Sequence, residues 1–362
     1  MKIGIITFHR PLNYGAILQT YALVKKINDI NYDAEIIDYR NSCHEKVLDN
    51  MNFKTAIGIK AKIKSLIFAK INRNKKYKFQ QFTNNNIKIS KKIYDKKNIN
   101  ESNKEYDFFI TGSDQVWNLN LTNIDYNYFL NFVNKDINKI SYASSFGYSQ
   151  IPEKYKQETV SSLNNYKKIS VREQQGANII NDLLNKDVDV VLDPTLLLTK
   201  KEWLKISKKV TFRVPKKYIL LYAVSPTKED FEMARKFSKI VKMRIILINY
   251  NMKYTFGMKN CFDIGPEEFI WLIENASYVL TNSFHGTAFS INFNKEFYVR
   301  LSKKENNGNS RIENIINLTK LNNRYLDENC IIKNEKINWK EVNNIINEER
   351  NRSIKFLKEN IR

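Results

Sequence analysis

Histidine and cysteine are both scarce in this chain, with three residues of each. The histidines, His9, His44 and His285, lie far apart, and no two share the short spacing of a metal-ligand pair, so no metal site is expected. The cysteines, Cys43, Cys261 and Cys330, are odd in number and form no CxxC, which excludes a disulfide framework. No apolar run approaches the ~20 residues of a membrane-spanning helix. Met1-Lys2 leads straight into a strand-like Ile3-Gly-Ile-Ile6 without a signal peptide's apolar region or cleavage site, so the expectation is a cytoplasmic protein. Acidic residues are outnumbered, 38 against 60 Lys and Arg, for a formal charge of +22. The imbalance concentrates between Lys54 and Lys104, where 15 cations meet two acids, Asp95 and Glu101. Such a patch suits a polyanionic surface such as lipid headgroups, which would hold the protein at the inner face of a membrane. Lys-, Asn- and Ile-rich composition with solvated charges would produce the same run. Aromatics are not interleaved with these cations as stacking platforms, so no nucleic-acid partner is expected.

What the chain does have is material for two large cores: 362 residues, 42% hydrophobic, with 20 Tyr and 21 Phe. Short apolar runs at 3–8, 34–39, 106–111, 139–144, 168–172 and 188–192 alternate with polar turns and helical spacing, the first helix covering 16–28. After a polar, Lys-rich stretch at 199–214 the rhythm restarts, with runs at 218–223, 244–249, 278–280 and 296–300 and helices at 228–240 and 266–275. This predicts an α/β protein of two Rossmann-like domains facing a cleft. The first would cover 1–198 with a basic helical insert at 54–104. A linker at 199–214, a second domain at 215–335 and closing helices at 336–362 would follow. A complete GxGxxG is missing, so no dinucleotide site is predicted.

The most informative stretch is Tyr278-Val-Leu-Thr-Asn-Ser-Phe-His-Gly286. A short buried strand is broken at Thr281, Asn282 and Ser283, and helical spacing resumes at Phe284, with His285 in the first turn. Unpaired amides and a partial positive charge at a helix start attract anions, and an imidazole there can exchange a proton with the ligand. A Ser283 cap with a packed ring is the other reading. His9 and Arg10, with Asn13, Tyr14 and Gly15 after them, follow the first strand's carboxyl end, where open parallel sheets place ligands. Gly112 permits a tight turn, after which Asp114 either caps the next element or accepts a proton from a sugar hydroxyl, with Gln115 and Trp117 able to hold a sugar ring. Arg172 ends another strand, where a guanidinium can grip a carboxylate or phosphate in two places or lie on the surface. Asp193 ends a run stopped by Pro194, and Arg311 opens a later helix.

Together these segments resemble the polysaccharide pyruvyl transferase family. The motifs are Asn13-Tyr-Gly15 with its Leu-Gln-Thr-Tyr-Ala helix, Thr111-Gly-Ser-Asp-Gln-Val-Trp-Asn118, Ser141-Tyr-Ala-Ser-Ser145, Ser170-Val-Arg-Glu173, Leu192-Asp-Pro-Thr195 and Thr281-Asn-Ser-Phe-His-Gly-Thr287, across roughly residues 3 to 320. The resemblance implies a glycosyltransferase-B-like fold. It implies transfer of a pyruvyl group from phosphoenolpyruvate onto two hydroxyls of a sugar, in a cell-surface polysaccharide or its lipid-linked precursor. It makes His285 the general acid and Asp114 the base, with Asp193 behind it. Arg172, Arg311, Asn282, Ser283 and Gly286 would hold the donor, and His9, Arg10, Asn13, Tyr14, Gly15, Gln115 and Trp117 the acceptor. No metal or organic cofactor is implied. Some members carry an arginine two places before the histidine; this chain has Ser283, leaving Arg311, Arg300 or Lys303 to supply the charge. A nucleotide-sugar glycosyltransferase of the same fold, for which Glu267, Glu268 and Glu274 are available but at no recognised spacing, and a non-catalytic binder of anionic glycan or lipid are the competing readings.

Overall fold

A computed structural model describes residues 1–41, 59–248, 254–302, 308–326 and 335–361, with backbone only at 59–68. The candidate Lys303, and the start of the basic segment at 54–58, lie outside the described residues. The first half holds β1 (Lys2–Ile6), β2 (Asp33–Tyr39), β3 (Ile89–Tyr94), β4 (Phe108–Thr111) and β5 (Asn138–Ser141), all parallel in the order β3-β2-β1-β4-β5. A short parallel pair, β6 (Ser170–Val171) and β7 (Asp189–Val190), follows. The second half repeats the order with β8 (Tyr218–Tyr222), β9 (Arg244–Ile248), β10 (Lys259–Cys261), β11 (Tyr278–Thr281) and β12 (Phe297–Val299), again parallel, as β10-β9-β8-β11-β12. β4 and β8 are buried along their whole length, which is why they read as unbroken apolar runs in the sequence.

In both sheets the chain builds outward from its first strand and then crosses to that strand's other side. The loops leaving β1 and β4, and those leaving β8 and β11, therefore diverge at a switch point and open a crevice. The two crevices face each other. Aromatic packing joins the halves: Tyr14, on the helix Tyr14–Asp29, stacks on Phe269 at 4.7 Å and 10°, and its hydroxyl donates to the Ile264 carbonyl at 2.8 Å.

Two expectations need correction. The basic segment is not all helix: after Ile59–Asn86 it becomes β3, an edge strand whose exposed Lys91 and Lys92 discourage further pairing. The segment also packs onto the rest of the chain. Phe79 and Phe82 are buried, Lys78 bridges to Glu268 of the second half at 2.8 Å, and Lys75 is buried with its amine 4.4 Å from the Tyr14 ring centre. Burial holds the Lys75 amine well below its ordinary value. The stretch at 199–214 opens with an ordered turn, Lys200–Leu204, where Thr199 and Glu202 form a reciprocal cap and Trp203 is fully buried. The closing helix, Trp339–Asn360, packs against the first half: Arg350 Nε donates to the Leu196 carbonyl at 2.7 Å, and the Tyr32 hydroxyl donates to the Ile361 carbonyl at 2.8 Å.

A candidate active site between the two sheets

The facing crevices form one cleft of about 1410 Å³. From the first half Asn13, Asp114, Gln115, Asn118 and Tyr148 line it; from the second, Asn282, Ser283, His285, Asn309 and Arg311 do. The β11 turn works as its sequence suggests. Asn282 is held by the backbone of Val224, accepting from its N–H at 2.7 Å and donating to its carbonyl at 3.1 Å. The helix Phe284–Asn292 then starts, and its first turn-to-turn bond is Thr287 N–H to the Ser283 carbonyl. The amides of Phe284, His285 and Gly286 precede that bond and point out of the helix start. Ser283 sits at the cap position but makes no side-chain cap, so its hydroxyl is not tied to the helix start.

His285 is 6% exposed, on the cleft wall. Its Nε2 is buried without a hydrogen-bond partner, 3.6 Å from Asp193 Oδ2. Its other edge meets Gly15, where an added Cβ would lie 2.1 Å from Nδ1. Behind it is a compact charged cluster. Asp193 Oδ2 accepts from Arg172 Nη1 at 3.0 Å and lies 3.1 Å from Ser113 Oγ, while Oδ1 accepts from the Thr195 amide and hydroxyl at 2.9 and 2.7 Å. Burial alone would raise the Asp193 carboxyl, but His285, Arg172 and the Thr195 amide together hold it well below the usual carboxylate range. Burial opposes the Arg172 charge too, yet Asp114, Asp193 and Glu173 outweigh it and raise the guanidinium.

Arg311 has the opposite balance. Its Nε donates to the Gly308 carbonyl at 3.2 Å, and the Gln115 carboxamide, with its oxygen turned toward the guanidinium, accepts from both Nη atoms at 2.6 Å. Burial and then the neighbouring Arg172 push it down to about 10. It is a cation on the cleft wall with neutral direct contacts, which an arriving anion would relieve.

Several predicted site residues lie elsewhere. Arg172, expected to reach a donor, is 3% exposed and sits behind the wall, its guanidinium on Asp193 and Asp114 and its plane 4.6 Å over Phe284. Trp117 is fully buried, stacked on Phe129 at 5.4 Å, because its indole completes the first half's core. His9 is buried against Asp38 at 3.2 Å, and Tyr14 forms the aromatic seam, so neither faces the cleft; Arg10 does not line it. Gly15 seats the imidazole, and Gly286 packs against Thr281, where a Cβ would meet Oγ1 at 2.2 Å. Asp193 is 1% exposed and faces His285 rather than any acceptor. Asn309 and Tyr148 were missed; nothing in their local sequence distinguishes them.

The paired parallel sheets with a ligand-sized cleft between their switch points define a glycosyltransferase-B-like protein. The chain is similar in structure to the UDP-GlcNAc 2-epimerase of Neisseria meningitidis bound to UDP-GlcNAc, at 11% identity, covering 100% of this chain and 99% of that one with a TM-score of 0.55. It is also similar to the UDP-GlcNAc 2-epimerase of Methanocaldococcus jannaschii, at 14% identity, covering 94% and 95% with a TM-score of 0.47. None of the curated proteins matches the chain. The polysaccharide pyruvyl transferase family model matches residues 13–302, and the chain belongs to that family.

Proposed function

We propose that the protein transfers the pyruvyl group of phosphoenolpyruvate onto two hydroxyls of one sugar, forming a cyclic ketal and releasing phosphate. The observation that carries this reading is the convergence, on one cleft, of an imidazole at a helix start, a guanidinium with neutral contacts and a carboxylate on the opposite wall. Phosphoenolpyruvate brings two anionic groups, which Arg311 and the amides of Phe284 to Gly286 would receive. His285 protonates the methylene carbon, leaving C2 cationic and open to attack. Asp114 takes the hydroxyl proton: its Oδ1 accepts from the Gln115 amide at 2.9 Å, and Oδ2 has no protein partner among the described residues. Of the two hydroxyl protons lost by the sugar, one replaces the proton that became part of the methyl group and the other leaves with phosphate. Arg311 would supply the charge that some family members carry at the place of Ser283.

Nucleotide-sugar transfer is the weaker reading. Glu268 is bound by Lys78 and the Gly265 amide, and Glu274 by Lys200 at 3.0 Å; neither these nor Glu267 line the cleft. Of the acids that line the cleft on the second half, Asp230 is engaged by Arg300 at 2.9 Å, and Glu229 beside it would repel a diphosphate. The test is to offer the purified protein phosphoenolpyruvate or UDP-sugars, each with a panel of glycan acceptors, and to follow phosphorus by NMR. Acceptor-dependent release of inorganic phosphate from phosphoenolpyruvate supports the proposal; release of UDP with phosphoenolpyruvate untouched refutes it. No helix among the described residues is long and apolar enough to cross a membrane, and contact with anionic lipid through the basic segment is part of the proposal.

A further inference from the structure

We infer that Asp193 and Gly15 are the positioning residues of His285: the carboxylate holds the proton on Nε2, and the bare glycine leaves Nδ1 as the nitrogen that meets the substrate. The inference rests on the reading of His285 as the proton donor, but its evidence is separate. A buried imidazole nitrogen has two options. If it bears hydrogen it needs an acceptor; if it bears a lone pair it needs a donor. Nε2 is buried, makes no hydrogen bond, and the polar atom it faces is Asp193 Oδ2 at 3.6 Å. Ionised, that carboxylate can only accept. A lone pair on Nε2 would face another lone pair, so the proton belongs there. The gap is slightly longer than a hydrogen bond, as is common before substrate draws a site together.

Asp193 cannot easily turn away. Thr195 donates twice to Oδ1, and Arg172 donates to Oδ2. Nor can its loop drift from the histidine's helix. Asn292, at the end of that helix, donates to the Thr195 carbonyl at 3.1 Å and the Leu198 carbonyl at 2.8 Å. Arg350, from the closing helix, bonds both the Leu196 carbonyl and, at 3.4 Å, Asn292 Oδ1. The two partners come from different halves of the chain yet are tied as one block. With Nε2 committed to Asp193, only Nδ1 can exchange a proton with the cleft. It lies over Gly15, where the backbone comes so close that a methyl group would sit 2.1 Å from Nδ1 and 2.4 Å from Cγ. This gives Gly15 a role different from touching a sugar. When Nδ1 releases its proton, the neutral ring left behind is the Nε2–H form that Asp193 already holds, so no ring flip is needed between turnovers.

The test is the tautomer of His285, read from long-range proton–nitrogen correlation of the full chain labelled at histidine. Only three histidines contribute, and His285→Gln identifies the signal. The expected wild-type result is an Nε2–H imidazole with Nδ1 unprotonated. Asp193→Ala, which removes the acceptor facing Nε2, should release the proton from Nε2 and populate the Nδ1–H form. Gly15→Ala should shift the Nδ1 and Cε1–H resonances and lower turnover at least 100-fold, with the phosphoenolpyruvate Kd changed less than threefold. An Nδ1–H tautomer in the wild type overturns the inference, as does an unchanged tautomer in Asp193→Ala; if that variant does not fold, the wild-type spectrum decides. Wild-type behaviour of Gly15→Ala removes the glycine's part. The tautomer is read without substrate. A correct tautomer in a protein inert toward phosphoenolpyruvate would therefore sink the proposed reaction and leave the positioning intact.

Discussion

Replacing Arg311 with alanine should cost the protein its hold on an anionic donor, and the structure sets the size of the loss. Hydrogen bonds to a charged group contribute about 1.5–3 kcal/mol each, so a two-pronged grip on phosphate or carboxylate is worth roughly 3–6 kcal/mol gross. Against that, the guanidinium gives up its two contacts to Gln115, at about 1 kcal/mol each. A net of about 1–4 kcal/mol remains, or a loss of roughly 5–800-fold in affinity. Arg311→Lys, which keeps the charge without the fork, should recover only part of it. Calorimetric titration of phosphoenolpyruvate into wild type and both variants at pH 8 measures this. The pH dependence has a definite sign. Burial and the neighbouring Arg172 leave the empty-site guanidinium at about 10, and a bound anion raises it. From pH 8, where the donor's phosphate is fully ionised, affinity should be flat up to about pH 10 and fall above it, by at most tenfold per pH unit. A Kd for Arg311→Ala within twofold of wild type would refute the assignment.

Two other outcomes follow from the structure. Burial pushes Lys139 from 10.5 down to about 8, its amine donating to the Leu130 carbonyl inside the first half. Between those values the unfolded chain binds the proton and the native state does not. Stability should therefore rise with pH across that window, by on the order of 2–3 kcal/mol, and urea midpoints of Lys139→Met should lack this slope. On the helix Ile59–Asn86, Lys70, Arg73 and Lys76 are exposed, and the proposed contact with anionic lipid would run through them. Binding to vesicles with anionic headgroups should weaken steeply with salt and be lost when these three are changed to Glu, with circular dichroism unchanged.

The sheets were legible because buried parallel strands are continuous apolar runs, and 218–223 or 278–280 can hardly be anything else. β3 was not: Lys91 and Lys92 point to solvent on an edge, so its sequence lacks the apolar signature. Among candidate site residues, Asp114, Gln115, Asn282, Ser283 and His285, on the turns after β4 and β11, do reach the cleft. The failures share a cause. Arg172, Trp117, His9 and Tyr14 carry chemistry that suits a ligand, and each instead satisfies a buried neighbour: a carboxylate, an aromatic stack, Asp38 and Phe269. Sequence order gives strand ends but not which way a side chain turns. The approach of Gly15 to His285 spans the two halves of the chain, so no local pattern announces it.

The central claim is that His285 delivers a proton to the methylene carbon of phosphoenolpyruvate while two sugar oxygens bond to C2, one adding to the cationic carbon and the other displacing phosphate. Single-turnover reaction of wild type and His285→Gln in deuterium oxide, with the ketal methyl group observed by NMR, tests this most directly. Wild type should yield a ketal whose methyl carries one deuterium, and His285→Gln should be slower by roughly 10²–10⁴-fold with donor affinity little changed. Near-normal turnover by His285→Gln, or a product with no pyruvate-derived methyl group, would contradict it.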